Sequence, residues 1–404
     1  MTLKAIWCSW INPFRKYPDG GSEDIRRRII VASRFFSSID LYAVDRAESL
    51  ECFVDVPENV RLHLYPRHLD IRLSSCVQPL PSILRYNQQL VCDLKSKLSY
   101  LDVLLPPVII LEGLQLSGLW LDIRCTIDRR SICILRMHNL ESDYHRSVST
   151  ESKWLRKLGH RLAAYQYRNA EANLLRDFDF IYAVSESEMD VVQKQYTDIC
   201  DRLRWVPPIP DGRVLPPAIL DENGLFIISY FGDLTLPNNF GGFNWFCSKI
   251  LPLLSGTQFR VHVAGKGSEY FDRYRGVKVF GFVDSIEHFI SQSHLIVAPI
   301  LSGGGVKIKV LDTITTGKPL LTSSKGCEGL PYEIIGKMNI ADSEREWVDE
   351  IMRISSSYLQ ACVNTAELRQ LVLCRFGEQQ FLDGLLMDVR YKYNNGSFSI
   401  NGDR

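Results

Sequence analysis

The stretch SGGGVKIKVLDTITTGKPL, Ser302 to Leu320, follows the apolar run HLIVAPI, and its reading decides the fold. Gly303, Gly304 and Gly305 leave a run of backbone N–H groups uncovered by side chains. Val306, Val310, Leu311 and Ile314 then fall at helical spacing, which predicts a helix opening directly behind the loop. Strand, glycine turn and helix in that order make a cradle for an anion, because the first N–H groups of a helix lack partners and its dipole is positive there. Lys307 and Lys309, in the predicted first turn, oppose that dipole unless an anion is present, so they point to a phosphate. The competing reading is a solvated helix start behind a flexible loop. Asp312 lies beyond the dipole's reach and has the chemistry to accept hydrogen bonds from a ribose diol, or it is an ordinary helix aspartate.

Outward from this unit, short β-rich runs alternate with segments of helical period, the pattern of β-α units around a parallel sheet. In the first half the strands are KAIWCSW, DLYAV, VRLHLY, PVIILEG, SICILRMHN, DFIYAVS and LRWVP. Val206 to Gly224, VPPIPDGRVLPPAILDENG, carries five prolines and two glycines and reads as a linker. The pattern then restarts with LFIISYFGD, a helix through FNWFCSKILPLL, the strands FRVHVAGKG and VKVFGFVD, the helix SIEHFISQS, the strand HLIVAPI and a last strand in KPLLTSSKG. The expected class is α/β, with two doubly wound Rossmann-like domains facing across a cleft and ligands at the carboxyl ends of strands. The divisions are 1–206, a linker at 207–224, 225–375, and a C-terminal helix with a frayed tail at 376–404.

The chain has 404 residues, enough for two domains, and its 47 basic and 47 acidic residues cancel. No global charge steers it to nucleic acid. Its 11 cysteines form no C-x-x-C pair and read as reduced thiols of a cytoplasmic protein. No signal-peptide pattern opens the chain, and LLPPVIILEGLQLSGLWL is broken by Pro106, Pro107 and Glu112, so no spanning helix is expected. Ser152 to Arg168 aligns Trp154, Leu155, Leu158, Leu162 and Tyr165 in a stripe among basic residues. A core-packed helix with a solvated basic side is favoured there; the rival is a helix lying on the inner face of a membrane.

PILSGGGVKIKVLDTITTGKPLLTSSKGCEGL resembles the donor-binding segment of retaining GT-B glycosyltransferases, the large bacterial group that builds surface polysaccharides from nucleotide sugars. SYFGDLTLPNNFGGFNWFCSKILPLL, VHVAGKGSEYF with VKVFGFVDSIEHFISQSHLIVAPI, and RMHNLESDYHR with RDFDFIYAVSESEMDVV are similar to further parts of that group. The resemblance implies that Asp312 matches the second of two acidic residues spaced eight apart, the one that holds the ribose. The first falls on Gly304, where the group carries a glutamate, which leaves the donor sugar open. FGDLTLPNN also lacks the basic residues that many relatives turn on the diphosphate, a charge that Lys307 and Lys309 are in a position to supply.

His138, at the end of SICILRMHN, matches a functionally important histidine of the group and is assigned to positioning the donor sugar or the acceptor, against the alternative of a structural histidine. Glu141 is a weaker candidate for the same task, with helix capping as its alternative. Gly20 and Gly21, with Ser22 as helix cap, resemble the N-domain loop that faces the diphosphate, though a solvent turn reads nearly as well. Arg26 to Arg28 suit an anionic acceptor, or a plain helix surface. Val283, within FGFVD, is expected to border the base. The implied enzyme is a retaining hexosyltransferase without metal or cofactor, its nucleotide sugar a co-substrate and its acceptor a glycan or lipid-linked sugar, with Lys307 aiding the departing diphosphate. A nucleotide-sugar epimerase or hydrolase, and a catalytically silent scaffold, are the rival classes.

Overall fold

The computed structural model describes residues 3–16, 19–50, 55–67, 80–100, 106–151, 154–219, 224–254 and 258–395. The chain forms two compact units, residues 1–209 with 378–404, and residues 210–377.

The first unit is built on seven parallel strands: β1 (Lys4–Ser9), β2 (Ser38–Asp45), β3 (Val60–Pro66), β4 (Val108–Glu112), β5 (Ile132–Met137), β6 (Phe180–Ala183) and β7 (Leu203–Trp205). Their order is β3-β2-β1-β4-β5-β6-β7, so the winding reverses between β1 and β4. Every residue of β4 and β5 is buried, as a sheet covered on both faces requires. The Gly20–Ser33 helix starts one residue beyond Asp19, which caps it in a reciprocal box with Ser22. Ser22, expected as the cap, is therefore its third-residue partner, because the aspartate carboxylate reaches the free N–H first.

The Glu378–Asn395 helix also belongs to this unit. Phe381, Leu385 and Val389 pack with Ile25, Ile29 and Tyr182, and Asp388 accepts a 2.9 Å hydrogen bond from the Tyr182 hydroxyl and pairs with Arg204 at 3.0 Å. Tyr393 to Asn395, read from sequence as part of a frayed tail, are helical; the rest of that tail lies outside the described residues. The Trp154–Leu174 helix departs from its expected packing. Trp154, Leu158, Leu162 and Tyr165 are exposed, because Ala163, Ala164, Tyr167 and Leu174 supply the buried side instead.

The second unit carries β8 (Phe226–Phe231), β9 (Phe259–Ala264), β10 (Val277–Gly281), β11 (Leu295–Ala298), β12 (Leu320–Thr322) and β13 (Asn339–Ile340), all parallel, in the order β10-β9-β8-β11-β12-β13. β13 was not foreseen, since two residues carry no period. Phe243, Phe246, Cys247 and Ile250 are fully buried, which makes the FNWFCSKILPLL stripe core. The Pro237–Trp245 helix approaches the chain after β11 so closely that a Cβ on Gly242 would sit 1.9 Å from the Pro299 carbonyl oxygen. That contact holds the helix beside the glycine loop.

Candidate active site

In the second unit the reversal of strand order falls between β8 and β11, and there the chain is pared to glycine. Gly232 follows β8 with φ +151°, and Gly265 follows β9 with φ +125°. A Cβ on Gly265 would lie 2.0 Å from the Gly232 carbonyl oxygen, so the two strand ends touch through bare backbone. Gly303 (φ +95°) and Gly305 (φ +74°) turn the chain after β11. Gly304 has no such need, and a side chain there would meet open space.

The helix behind this loop runs Ile308–Thr315, with Lys307 as its N-cap and no side chain capping it. It thus begins two residues later than the apolar spacing implied. The two lysines, treated alike in the sequence, have different surroundings. Lys307 folds back, its ammonium donating to the carbonyls of Gly303 (3.1 Å), Gly304 (2.8 Å) and Gly305 (2.6 Å), with Glu328 at 3.9 Å. It acts as a buckle for the loop. Lys309 points to the end of β8, its Nζ 3.6 Å from the centre of the Tyr230 ring and 3.3 Å from the point where a Cβ on Gly232 would be. No carboxylate pairs with it among the described residues, and loss of water around the ammonium pushes its pKa down to about 7.

Asp312 is half-buried, and its Oδ1 accepts a 3.0 Å hydrogen bond from the Asp211 amide. Arg369 donates to the Thr315 carbonyl (2.7 Å) and the Gly212 carbonyl (3.0 Å), so the segment around Asp211 is tied to the Lys309 helix at several points. Val283 is half-buried in the turn between β10 and the Ile286–Ser291 helix. Glu328 went unremarked in the sequence; it brings a carboxylate to the glycine loop from beyond β12 and pairs with Lys325 at 2.9 Å.

In the first unit, His138 follows β5 and meets a set of buried charges that the sequence did not announce. Glu112, at the end of β4, lies beside Arg136 in the sheet register and accepts from the Trp7 indole N–H (3.0 Å) and from Arg136 (3.2 Å). Arg136 also pairs with Asp24, and Asp24 with Arg28 at 3.3 Å. Two carboxylates and two guanidiniums balance, all almost wholly out of water. Burial alone would raise the pKa of Asp24, yet Arg136 and Arg28 hold it down to about 2.

The His138 Nε2 stands 3.0 Å from a Glu112 oxygen and 3.0 Å from an Arg136 nitrogen. Burial, then the Arg136 charge, keep its pKa below the ordinary value and the ring neutral at pH 7. Glu141 opens the Glu141–Glu151 helix and accepts from the Gln115 amide; burial pushes its pKa up to about 7. Gly20 and Gly21 are ordinary first-turn helical residues, neither in left-handed backbone. Arg26 and Arg27 are engaged by Glu23, and Arg28 is buried, so this run does not present three free cations. Among the described residues no cluster of His, Cys, Asp or Glu could hold a metal ion, and no helix is long and apolar enough to cross a membrane.

Comparison with known proteins was decisive for the second unit: residues 226–357 match the model of the family described as Glycosyl transferases group 1. Over the whole chain the fold is GT-B, with two Rossmann-like units. It is similar to sucrose-phosphate synthase from Thermosynechococcus elongatus (11% identity, TM-score 0.68, 97% of this chain and 99% of that one). It is also similar to WaaG, a glycosyltransferase involved in lipopolysaccharide biosynthesis (14%, 0.61, 91% and 95%), and to HepE of Anabaena in complex with UDP (11%, 0.66, 96% and 100%). An uncharacterized 44.6 kDa protein in the cps region of Klebsiella pneumoniae is 24% identical over 244 residues. That match takes in 55% of this chain and 60% of the length of the curated relative.

Proposed function

We propose that this protein is a retaining hexosyltransferase that moves a sugar from a nucleoside diphosphate donor to a hydroxyl of a glycan or lipid-linked acceptor. The observation that carries the reading is Lys309: a desolvated cation with no carboxylate partner among the described residues, aimed at a glycine-lined strand end in a segment that matches the glycosyl transferases group 1 family. That HepE has been captured with UDP-glucose supports the choice of donor class.

In the reaction the bond between the sugar C1 and the diphosphate oxygen breaks, and a bond from C1 to the acceptor oxygen forms. The acceptor proton passes to the departing phosphate. Negative charge grows on the diphosphate as it leaves, so the Lys309 ammonium and the amides of the Gly303–Gly305 loop stabilise the transition state more than the ground state. Lys307 fixes the loop that presents those amides. Neutral His138, oriented by Glu112 and Arg136, is assigned to holding a sugar or acceptor hydroxyl, with Glu141 in support. Glu328 takes over sugar recognition from the carboxylate missing at Gly304. Val283 borders the base.

The test is a melting-temperature screen with nucleoside diphosphates and nucleotide sugars on the wild type and on Lys309→Met, followed by an assay of nucleoside diphosphate release with and without acceptor glycans. Stabilisation by a nucleotide that largely disappears in Lys309→Met, with release dependent on acceptor, is the expected result. No nucleotide binding at all would favour the scaffold class, which the glycine at 304 keeps in view. Release without acceptor would favour a hydrolase.

A further inference from the structure

The Trp154–Leu174 helix has two apolar sides, and the protein uses one of them. Ala163, Ala164, Tyr167 and Leu174 are buried, and Glu171, on the same side, accepts from the Ser142 amide and hydroxyl at 3.0 and 2.6 Å. At roughly 100° per residue, Trp154, Leu158, Leu162 and Tyr165 fall within an arc of about 80° on the opposite side. They are exposed by 77%, 63%, 49% and 67%. Four large apolar side chains in register form a ridge, unlike the single exposed apolar residues of ordinary surfaces.

Lys157, Arg161 and Arg168 line one edge of that ridge, with Arg156 exposed near its start. None of these cations makes an ion pair or hydrogen bond among the described residues. Elsewhere on the unit such arginines are matched, Arg124 with Asp177, Arg130 with Asp128 and Arg176 with Asp198. No acidic residue occurs between Ser152 and Ala170.

We infer that this face docks on an anionic lipid bilayer, the ridge entering the boundary between headgroups and acyl chains and the cations resting on lipid phosphates. Charge selects this occupant. A second copy of the same helix would bring cation against cation, whereas a sheet of phosphates neutralises every one of them. Tryptophan and tyrosine on the ridge suit a boundary that is apolar on one side and wet on the other.

The experiment is co-sedimentation of the full chain with phosphatidylcholine vesicles and with vesicles containing phosphatidylglycerol as well. Expected are binding to the anionic vesicles only, weakening with added salt, and loss of binding in the double variant Leu158→Glu, Leu162→Glu, whose melting temperature stays at the wild-type value. Replacing Lys157, Arg161 and Arg168 with glutamine should weaken association roughly 100-fold. Equal binding to both vesicle types, binding untouched by these variants, or self-association through the ridge without vesicle binding would overturn the inference. Nucleotide binding, measured without vesicles, is a separate readout, so either reading can fail alone.

Discussion

Both units bring charged side chains to the ends of their central strands, and the two ends follow opposite rules. In the first unit Asp24, Arg28, Glu112 and Arg136 neutralise one another out of water, and the ring nitrogens of His138 close on that finished network. In the second, Lys309 is desolvated and no carboxylate answers it among the described residues, on a floor of glycine backbone. The first arrangement holds a side chain in place. The second has a charge still to be satisfied, which is the property a site for a diphosphate needs.

Breaking the first network should have the largest effect. Glu112→Gln leaves Arg136 short of a partner in the interior and should cost about 3 kcal/mol of unfolding free energy, seen as a lower denaturant midpoint. Lys309→Met should leave the midpoint unchanged or raised, since it removes a half-buried, desolvated cation that no carboxylate among the described residues offsets. The same variant should lose about 2 kcal/mol of nucleotide affinity, roughly 30-fold, by calorimetry. Equal destabilisation by both variants would abolish the contrast.

Acidity sharpens the comparison further. Unfolded lysine keeps its proton up to its ordinary value of 10.5, while folded, unliganded Lys309 releases it near 7. The unfolded chain thus binds more protons in that window, and this group makes stability rise with pH across it. A bound diphosphate restores the ammonium. Nucleotide affinity should therefore be full below pH 7 and fall above it, with proton uptake on binding near pH 8, detectable by calorimetry in buffers of different ionisation enthalpy. Lys307→Ala, which opens the loop without removing the desolvated cation, should weaken binding less than tenfold. Smallest of all, Gly304→Ala should shift stability by no more than about 0.5 kcal/mol, whereas the same change at Gly265 should unfold the strand end.

The doubly wound plan was legible because β4, β5, β9 and β11 are short, mostly apolar runs bounded by turns, and glycines follow β4 and β9 at once. The buried network was not. PVIILEG and SICILRMHN each carry one charged residue near the strand end, and only the register that sets Glu112 against Arg136 turns two isolated charges into a pair. Asp24 and Arg28 sit inside a helix rich in charges, where burial has no sequence signature. The Trp154–Leu174 helix failed for a different reason: alanines and Tyr167 form its buried side, so the louder stripe of tryptophan and leucine was assigned to the core. Periodicity counts faces, and it does not say which one meets the protein.

The Gly232–Gly265 contact fixes the floor of the corner, while the neighbouring loop has room to spare at one residue. A GGA or GGG codon becomes a glutamate codon by one nucleotide change, so position 304 could gain a carboxylate in a single mutational step with nothing beneath it displaced. Diversification of sugar choice in this lineage would then run through the rim, and the floor would be inherited unaltered.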